Sequence, residues 1–173
     1  MNKAFVKEDD GNEGALPLPE MPAGVRNYIT PTGYRRLQQD LQHLLDAAGR
    51  SADIEQRIRY LRGRLETAEV VDASMHAGSD RVYFGATVRY RDDHQGAAGA
   101  ERTVTIVGLD ETDPACARIS WLSPVAQALL GAQAGDEVVL ESADGPAVLH
   151  VVAVHYPTRP GGAAPGPDAG ERS

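Results

Sequence analysis

The chain has 173 residues, of which 42% are apolar and only 5% aromatic, and a formal net charge of −8. That length suits one ordinary domain or two small ones built on an aliphatic core. A lone cysteine, Cys116, rules out an intrachain disulfide, no apolar run reaches membrane-spanning length, and the opening "MNKAFVKEDDGNEG" has no signal-peptide h-region, so a cytoplasmic location is expected.

Residues 1–25 are acidic and rich in Gly and Pro, a composition that buries too little to order itself and predicts a disordered tail. Residues 157–173, "PTRPGGAAPGPDAGERS", predict a second tail. No internal repeat occurs, and the folded part is expected over residues 26–156.

A helical hairpin is predicted over residues 26–72. Thr30 is a plausible N-cap and Pro31 fits the first helical position. Tyr34, Leu37, Leu41, Leu44 and Leu45 then recur at spacings of three and four. Gly49 supplies a stop as a left-handed C′ residue, and Ser51 or Asp53 caps a second helix. Ile54, Ile58, Leu61, Leu65 and Ala68 mark its apolar stripe. Narrow stripes and a short turn predict antiparallel packing as a short coiled coil. About 17 residues per arm gives roughly 25 Å at 1.5 Å per residue.

From "RVYFGATVRYRD" onward the apolar period falls to two, with Val82, Phe84, Ala86, Val88 and Tyr90 on one face. "RTVTIVGLD" and "CARISW" read as further strands. "SPVAQALLGAQAGD" reads as a short helix ended by Gly131, and "EVVLES" and "AVLHVVAVHY" as a closing hairpin. Residues 73–156 are therefore expected to form a mainly antiparallel sheet with one short helix, making the whole chain α+β.

Charge is unevenly distributed. Residues 33–68 carry seven Arg and five acids, whereas residues 69–156 carry five Arg and thirteen acids. The acidic part lacks the clustered cations that binding to duplex DNA needs, and it suits a basic protein surface instead.

Candidate sites are few. Asp46, Asp53 and Glu55 flank the hairpin turn. They could share a Mg²⁺ ion with another macromolecule, though capping and dipole compensation explain Asp53 and Glu55 at a helix start. Arg57, Arg59, Arg62 and Arg64 on the second helix, with Arg35 and Arg36 on the first, offer either a phosphate-facing surface or an ordinary solvated face. Trp121 and Leu122 precede a Ser123-Pro124 helix start. They are either an apolar docking loop or, for Trp121, the inward end of a core strand. Cys116 reads as a buried strand residue. His43, His76, His94, His150 and His155 show no metal-ligand spacing, and His150 and His155 fall on opposite faces of one strand by parity. Neither a nucleophile–base pairing nor a phosphate loop is legible, so no cofactor and no enzyme activity are expected.

Four stretches together resemble one family: "YITPTGYRRLQQDL", "IEQRIRYLRGRLETAEVVD", "RVYFGATVRY" and "TIVGLDET…ISWLSPVAQALLG…GDEVVL". In order and combination they resemble the bacterial transcription elongation factors GreA and GreB across nearly all of residues 27–156. "RIRYLRGRLETAEVVD" is nearest to GreB, and "SPVAQALLGAQAGDEV" also resembles Rnk, a shortened Gre-like regulator of nucleoside diphosphate kinase. The resemblance implies an N-terminal antiparallel coiled coil and a C-terminal FKBP-like domain. It implies RNA polymerase as partner, with the globular domain at the rim of the secondary channel and the hairpin pointing inward. In the family two tip carboxylates help hold the second Mg²⁺ of the polymerase, which then hydrolyses a backtracked transcript.

The sequence departs from that pattern at the tip. "AAGRSADIEQ" stands where the family has a longer turn with Asp and Glu three apart followed by Asn, and Asp46 and Asp53 do not match those positions. Leu122 replaces an acidic or polar residue before the Ser-Pro turn, as in Rnk. The reading that follows is a non-catalytic polymerase-binding regulator. It would dock through Trp121, Leu122, Ser123, Pro124 and Val125, with Arg57, Arg59 and Arg62 at the channel mouth. No membrane or duplex DNA partner is expected, and contact with nascent RNA stays open. Alternatives are an Rnk-type output in nucleotide metabolism and a cleavage factor that uses a non-standard acidic tip.

Overall fold

The computed structural model describes residues 18–49, 51–93 and 99–158. Strand β1 (Asn27–Ile29) leads into helix α1 (Pro31–Asp46); helix α2 (Ala52–Glu66) returns and runs into strand β2 (Ala68–Val70). β1 and β2 pair in parallel at the base of the hairpin, Asn27 opposite Ala68 and Ile29 opposite Val70. Thr30 caps α1 by accepting from the Gly33 amide, with Pro31 inside the first turn. Ser51, not Asp53, caps α2, accepting from the Ile54 amide; Asp53 and Glu55 instead occupy the first turn, where their charge meets the positive end of the helix dipole. α1 ends at an extended Ala47, and Gly49 takes its positive φ of 112° two residues later, inside the turn rather than at C′.

Ile29, Leu37 and Leu61 form the buried seam of the hairpin, with Tyr34, Leu41, Leu44, Tyr60 and Leu65 half-buried around it. Burial is therefore concentrated at the base, where the arms meet the second part of the molecule. That part is a five-stranded sheet in the order β5-β4-β3-β7-β6. Its strands are β3 (Thr87–Asp92), β4 (Ala100–Val107), β5 (Arg118–Ser120), β6 (Glu137–Ser142) and β7 (Gly145–His155), with helix α3 (Pro124–Leu129) between β5 and β6. All pairings are antiparallel except β4 with β5, which is parallel. The expected α+β architecture is present, with this parallel edge as the difference. Val82, Ala86, Val88, Tyr90, Ile106, Ala126, Leu129, Leu149 and Val151 form its core.

Three further expectations change. Val82, Ala86, Val88 and Tyr90 are buried as the alternation demands, but the strand begins only at Thr87 because Gly85 turns the chain with φ +84°. Cys116 is exposed in a 3₁₀ turn (Pro114–Cys116) instead of buried in a strand. His150 and His155 lie opposite Arg91 and Thr87 of β3, residues of equal parity, so they share one face. A bulge opposite Arg89 and Tyr90 inserts one residue into β7 and reverses the parity between them. The two tails lie largely outside the described residues. What is described of the first passes the hairpin, with the Pro19 carbonyl 3.2 Å from the Tyr60 hydroxyl.

The two parts are joined by adjacent carboxylates on one 3₁₀ turn, Leu109–Glu111. Glu111 accepts from the Thr30 amide at 3.0 Å, the Gly108 amide at 3.0 Å and the Thr30 hydroxyl. Its charge thus sits at the N-terminus of a 16-residue helix, where the dipole favours it. Asp110 takes the guanidinium of Arg64, with Nε 2.6 Å away and both side chains under a tenth exposed, and also accepts from the Tyr60 hydroxyl. Asn27 adds a bond of 2.8 Å from its side-chain amide to the Arg64 carbonyl. Arg64 is therefore a structural anchor, which removes it from the phosphate-facing set suggested by its position on α2. Tyr28 meets Trp121 and Phe84 with ring centroids 5.0 and 5.8 Å apart, closing the apolar side of the joint.

Gly33 makes room for this clamp, since a Cβ there would overlap the Glu111 carboxylate. Gly33→Ala should therefore destabilise the protein by roughly 2–4 kcal/mol in urea unfolding, despite a helix-propensity gain of about 1 kcal/mol. An unchanged or raised midpoint would contradict the clamp.

Burial and the Asp110 bond push the Tyr60 phenol above its ordinary value of 10, and burial does the same for Tyr90 and Tyr156. A raised pKa favours the protonated form in the folded state. The associated stability is thus fully present below about pH 10 and is lost as pH climbs through the folded values. Tyr60→Phe should flatten that alkaline loss in a pH series of thermal melts.

Candidate docking loop and hairpin arginines

β5 is only three residues long, yet it fixes the loop that follows. It pairs Arg118 with Thr105, Ile119 with Ile106 and Ser120 with Val107, and the Trp121 amide extends the ladder to the Val107 carbonyl at 2.9 Å. The Ser120 hydroxyl then accepts from the Leu122 amide at 3.1 Å, and the Ser123 amide donates to the Ser120 carbonyl at 2.9 Å. Ser123 caps α3 by accepting from the Ala126 amide, Pro124 starts the helix, and the Gln127 side chain donates to the Trp121 carbonyl at 2.7 Å. The amides of Trp121, Leu122 and Ser123 and the carbonyls of Trp121 and Ser123 are all held, so Leu122, Ser123 and Pro124 are presented on a well-braced support.

The ring of Trp121 is half-buried against Tyr28 and the sheet core, the inward of its two expected positions. Leu122, Ser123 and Val125 are half-buried, Val125 also against the core, and Pro124 is exposed. The loop thus presents a small apolar surface centred on Leu122 and Pro124. Below it, Arg118 pairs with Asp113 at 2.9 Å, holding that carboxyl below its ordinary range and raising the guanidinium.

The arginines of α2 do not share one face. At 100° per residue Arg59 and Arg62 point the same way, and Arg57 points well away from them. Arg59 and Arg62 are exposed. Arg57 is half-buried with its guanidinium 5.4 Å from the Tyr60 ring centre. It lines a crevice of about 550 Å³ between the hairpin and the 3₁₀ turns, together with Arg36, Asp40, Tyr60 and Pro19. Among the described residues, neither Arg36 nor Arg57 meets a carboxylate at salt-bridge distance.

At the hairpin end, Asp46 accepts from the Gln42 side chain at 2.9 Å, and Asp46, Asp53 and Glu55 are all exposed. Among the described residues no group of three or more His, Cys, Asp or Glu is placed to hold a metal ion. His150 lies between Asp93 and Glu137, at 2.5 and 3.0 Å, an arrangement that ties β6 and β7 to the end of β3. The Asp110–Glu111 clamp was not singled out from the sequence; two adjacent acids after a strand-ending Gly are its only local sign. No helix of the described residues is long and apolar enough to cross a membrane.

A sequence profile described as "Transcription elongation factor, GreA/GreB, C-term" matches residues 77–156. The transcription elongation factor GreB of Neisseria meningitidis serogroup B is 39% identical over 164 residues, 79% of this chain and 98% of that protein. The transcription elongation factor GreA of Desulfovibrio desulfuricans is 42% identical over 110 residues, 64% of this chain and 65% of that one. Among solved structures, a GreA/GreB elongation factor from Nitrosomonas europaea aligns over 76% of this chain and all of its own, at 30% identity and a TM-score of 0.39.

Ser123→Ala removes the α3 cap and should cost about 1 kcal/mol in stability. Calorimetric melting checks this, and an unchanged midpoint would mean that the loop is not held by its cap.

Proposed function

The chain belongs to the GreA/GreB family of transcription elongation factors, and on that premise we propose that it is a regulator that binds RNA polymerase without stimulating transcript cleavage. In this reading the globular domain docks at the rim of the polymerase secondary channel through Leu122, Ser123, Pro124 and their supports Trp121 and Val125. The hairpin, with Arg57, Arg59 and Arg62, occupies the channel mouth. The chain is not itself an enzyme, and any hydrolysis would be the polymerase's own.

The observation that carries the non-catalytic part is the shortness of the hairpin. Arms of 16 and 15 residues span about 24 and 22 Å at 1.5 Å per residue. Seventy-nine per cent of 173 residues is about 137, whereas the Neisseria alignment spans 164 positions, so roughly 27 positions there have no counterpart here. We read the hairpin, with its helices joined across Ala47 to Ser51, as the shortened part. Its remaining acids, Asp46, Asp53 and Glu55, sit on two helix ends, and two of them already serve the α2 dipole. Metal-assisted hydrolysis tolerates little misplacement of its ligands, so a finger that stops short and lacks paired acids can block but not assist.

The test is one preparation assayed twice, for co-purification with core polymerase and for cleavage of the transcript in a stalled complex. Micromolar binding with no added cleavage is expected. Failure to bind at micromolar concentration would overturn the docking and favour an Rnk-type output. Cleavage stimulation abolished by Asp53→Asn would overturn the non-catalytic reading in favour of a non-standard acidic tip.

A further inference from the structure

The crevice between the hairpin and the 3₁₀ turns has an unbalanced wall. Four carboxylates line it, Asp40, Asp110, Glu111 and Asp113. Three are already committed: Asp110 to Arg64 and Tyr60, Glu111 to Thr30 and Gly108, Asp113 to Arg118 and the Ala115 amide. Among the described residues the guanidiniums of Arg36 and Arg57 have no such partner; Asp40, one turn along α1 from Arg36, and Asp53, one turn before Arg57 on α2, are the nearest in sequence, and neither is paired with them at salt-bridge distance. The crevice also has a near neighbour in the chain, since Pro19 lines it with its carbonyl beside the Tyr60 hydroxyl. The sequence leading to Pro19 contains Glu8, Asp9, Asp10 and Glu13 against Lys3 and Lys7.

We propose that Arg36 and Arg57 form the docking surface for the chain's own acidic stretch at positions 8–13, so that this stretch competes with an anionic partner for the hairpin. Reach allows it: six to nine residues separate Glu13 and Asp10 from Pro19, at most roughly 20–30 Å of chain. Tethering at Pro19 makes the encounter intramolecular, with an effective concentration on the order of millimolar, so individually weak ion pairs suffice. Exposed pairs of this kind are screened by salt, over about 8 Å at 0.15 M and 3 Å at 1 M, so the contact is salt-dependent. The competition rests on the proposed polymerase function; the docking itself does not.

The test uses the full chain with Gly11→Cys carrying a nitroxide and Cys116→Ser to leave one thiol. Relaxation enhancement is read at the backbone amides of Arg36 and Arg57 without any polymerase. The expected result is strong enhancement at low salt. It should fall at least about threefold at 1 M salt, in the Arg36→Gln/Arg57→Gln pair, and in a chain with Glu8→Gln, Asp9→Asn, Asp10→Asn and Glu13→Gln. Because tethering alone brings the label near, enhancement that is the same in the neutralised chains would overturn the docking. The neutralised tail should also bind core polymerase roughly three- to tenfold more tightly at low salt. Equal affinity in the two forms would overturn the competition, whereas no binding by either counts against the proposed function and leaves the relaxation result to decide the docking.

Discussion

Two adjacent carboxylates on one turn govern how this molecule holds its shape. Asp110 and Glu111 belong to the sheet domain, but nearly everything they bind belongs to the hairpin. Glu111 takes the start of α1 through Thr30, and Asp110 takes α2 through Arg64 and Tyr60. A buried ion pair is weak evidence of net stability, because desolvation offsets much of its attraction. What it supplies here is direction: a guanidinium and a carboxylate under a tenth exposed cannot be separated without leaving one charge buried alone. The hairpin is thus fixed at its base, and both arms are fixed by the same turn.

That arrangement explains how so short a hairpin can stand. Two isolated helices of 15 and 16 residues are marginal in water, and the apolar seam is well buried only near the base, at Ile29, Leu37, Ile58 and Leu61. Toward the turn Leu41, Leu44, Leu45 and Ile54 are only half-buried. Anchorage rather than seam length therefore carries the element. A longer hairpin would need a longer seam; this one needs Gly33 and Gly108, whose missing side chains let the turn and the helix approach.

The candidate docking loop follows a similar logic at smaller scale. Three residues of β5 pair in parallel with β4, and the ladder runs on to Trp121. Trp121 then packs on Tyr28 of the hairpin base. The loop and the hairpin base share one aromatic contact, so the two surfaces proposed to meet the partner are held in a fixed relation by packing rather than by chain connectivity.

The local sequence by itself determined the hairpin, the α3 start and the final strand pair. Capping residues, Pro31, Pro124 and the apolar periods act over a few residues and are written in order along the chain. Tertiary structure alone decided the rest. Arg64 carries the same charge as Arg59 and Arg62, and only the arrival of Asp110 from 46 positions away makes it an anchor. Cys116 became exposed because Asp113 and Arg118 close a turn around it. The shared face of His150 and His155 came from one extra residue in β7, paired against a strand some sixty positions earlier. Such outcomes depend on which segments meet, and local periodicity carries no information about that meeting.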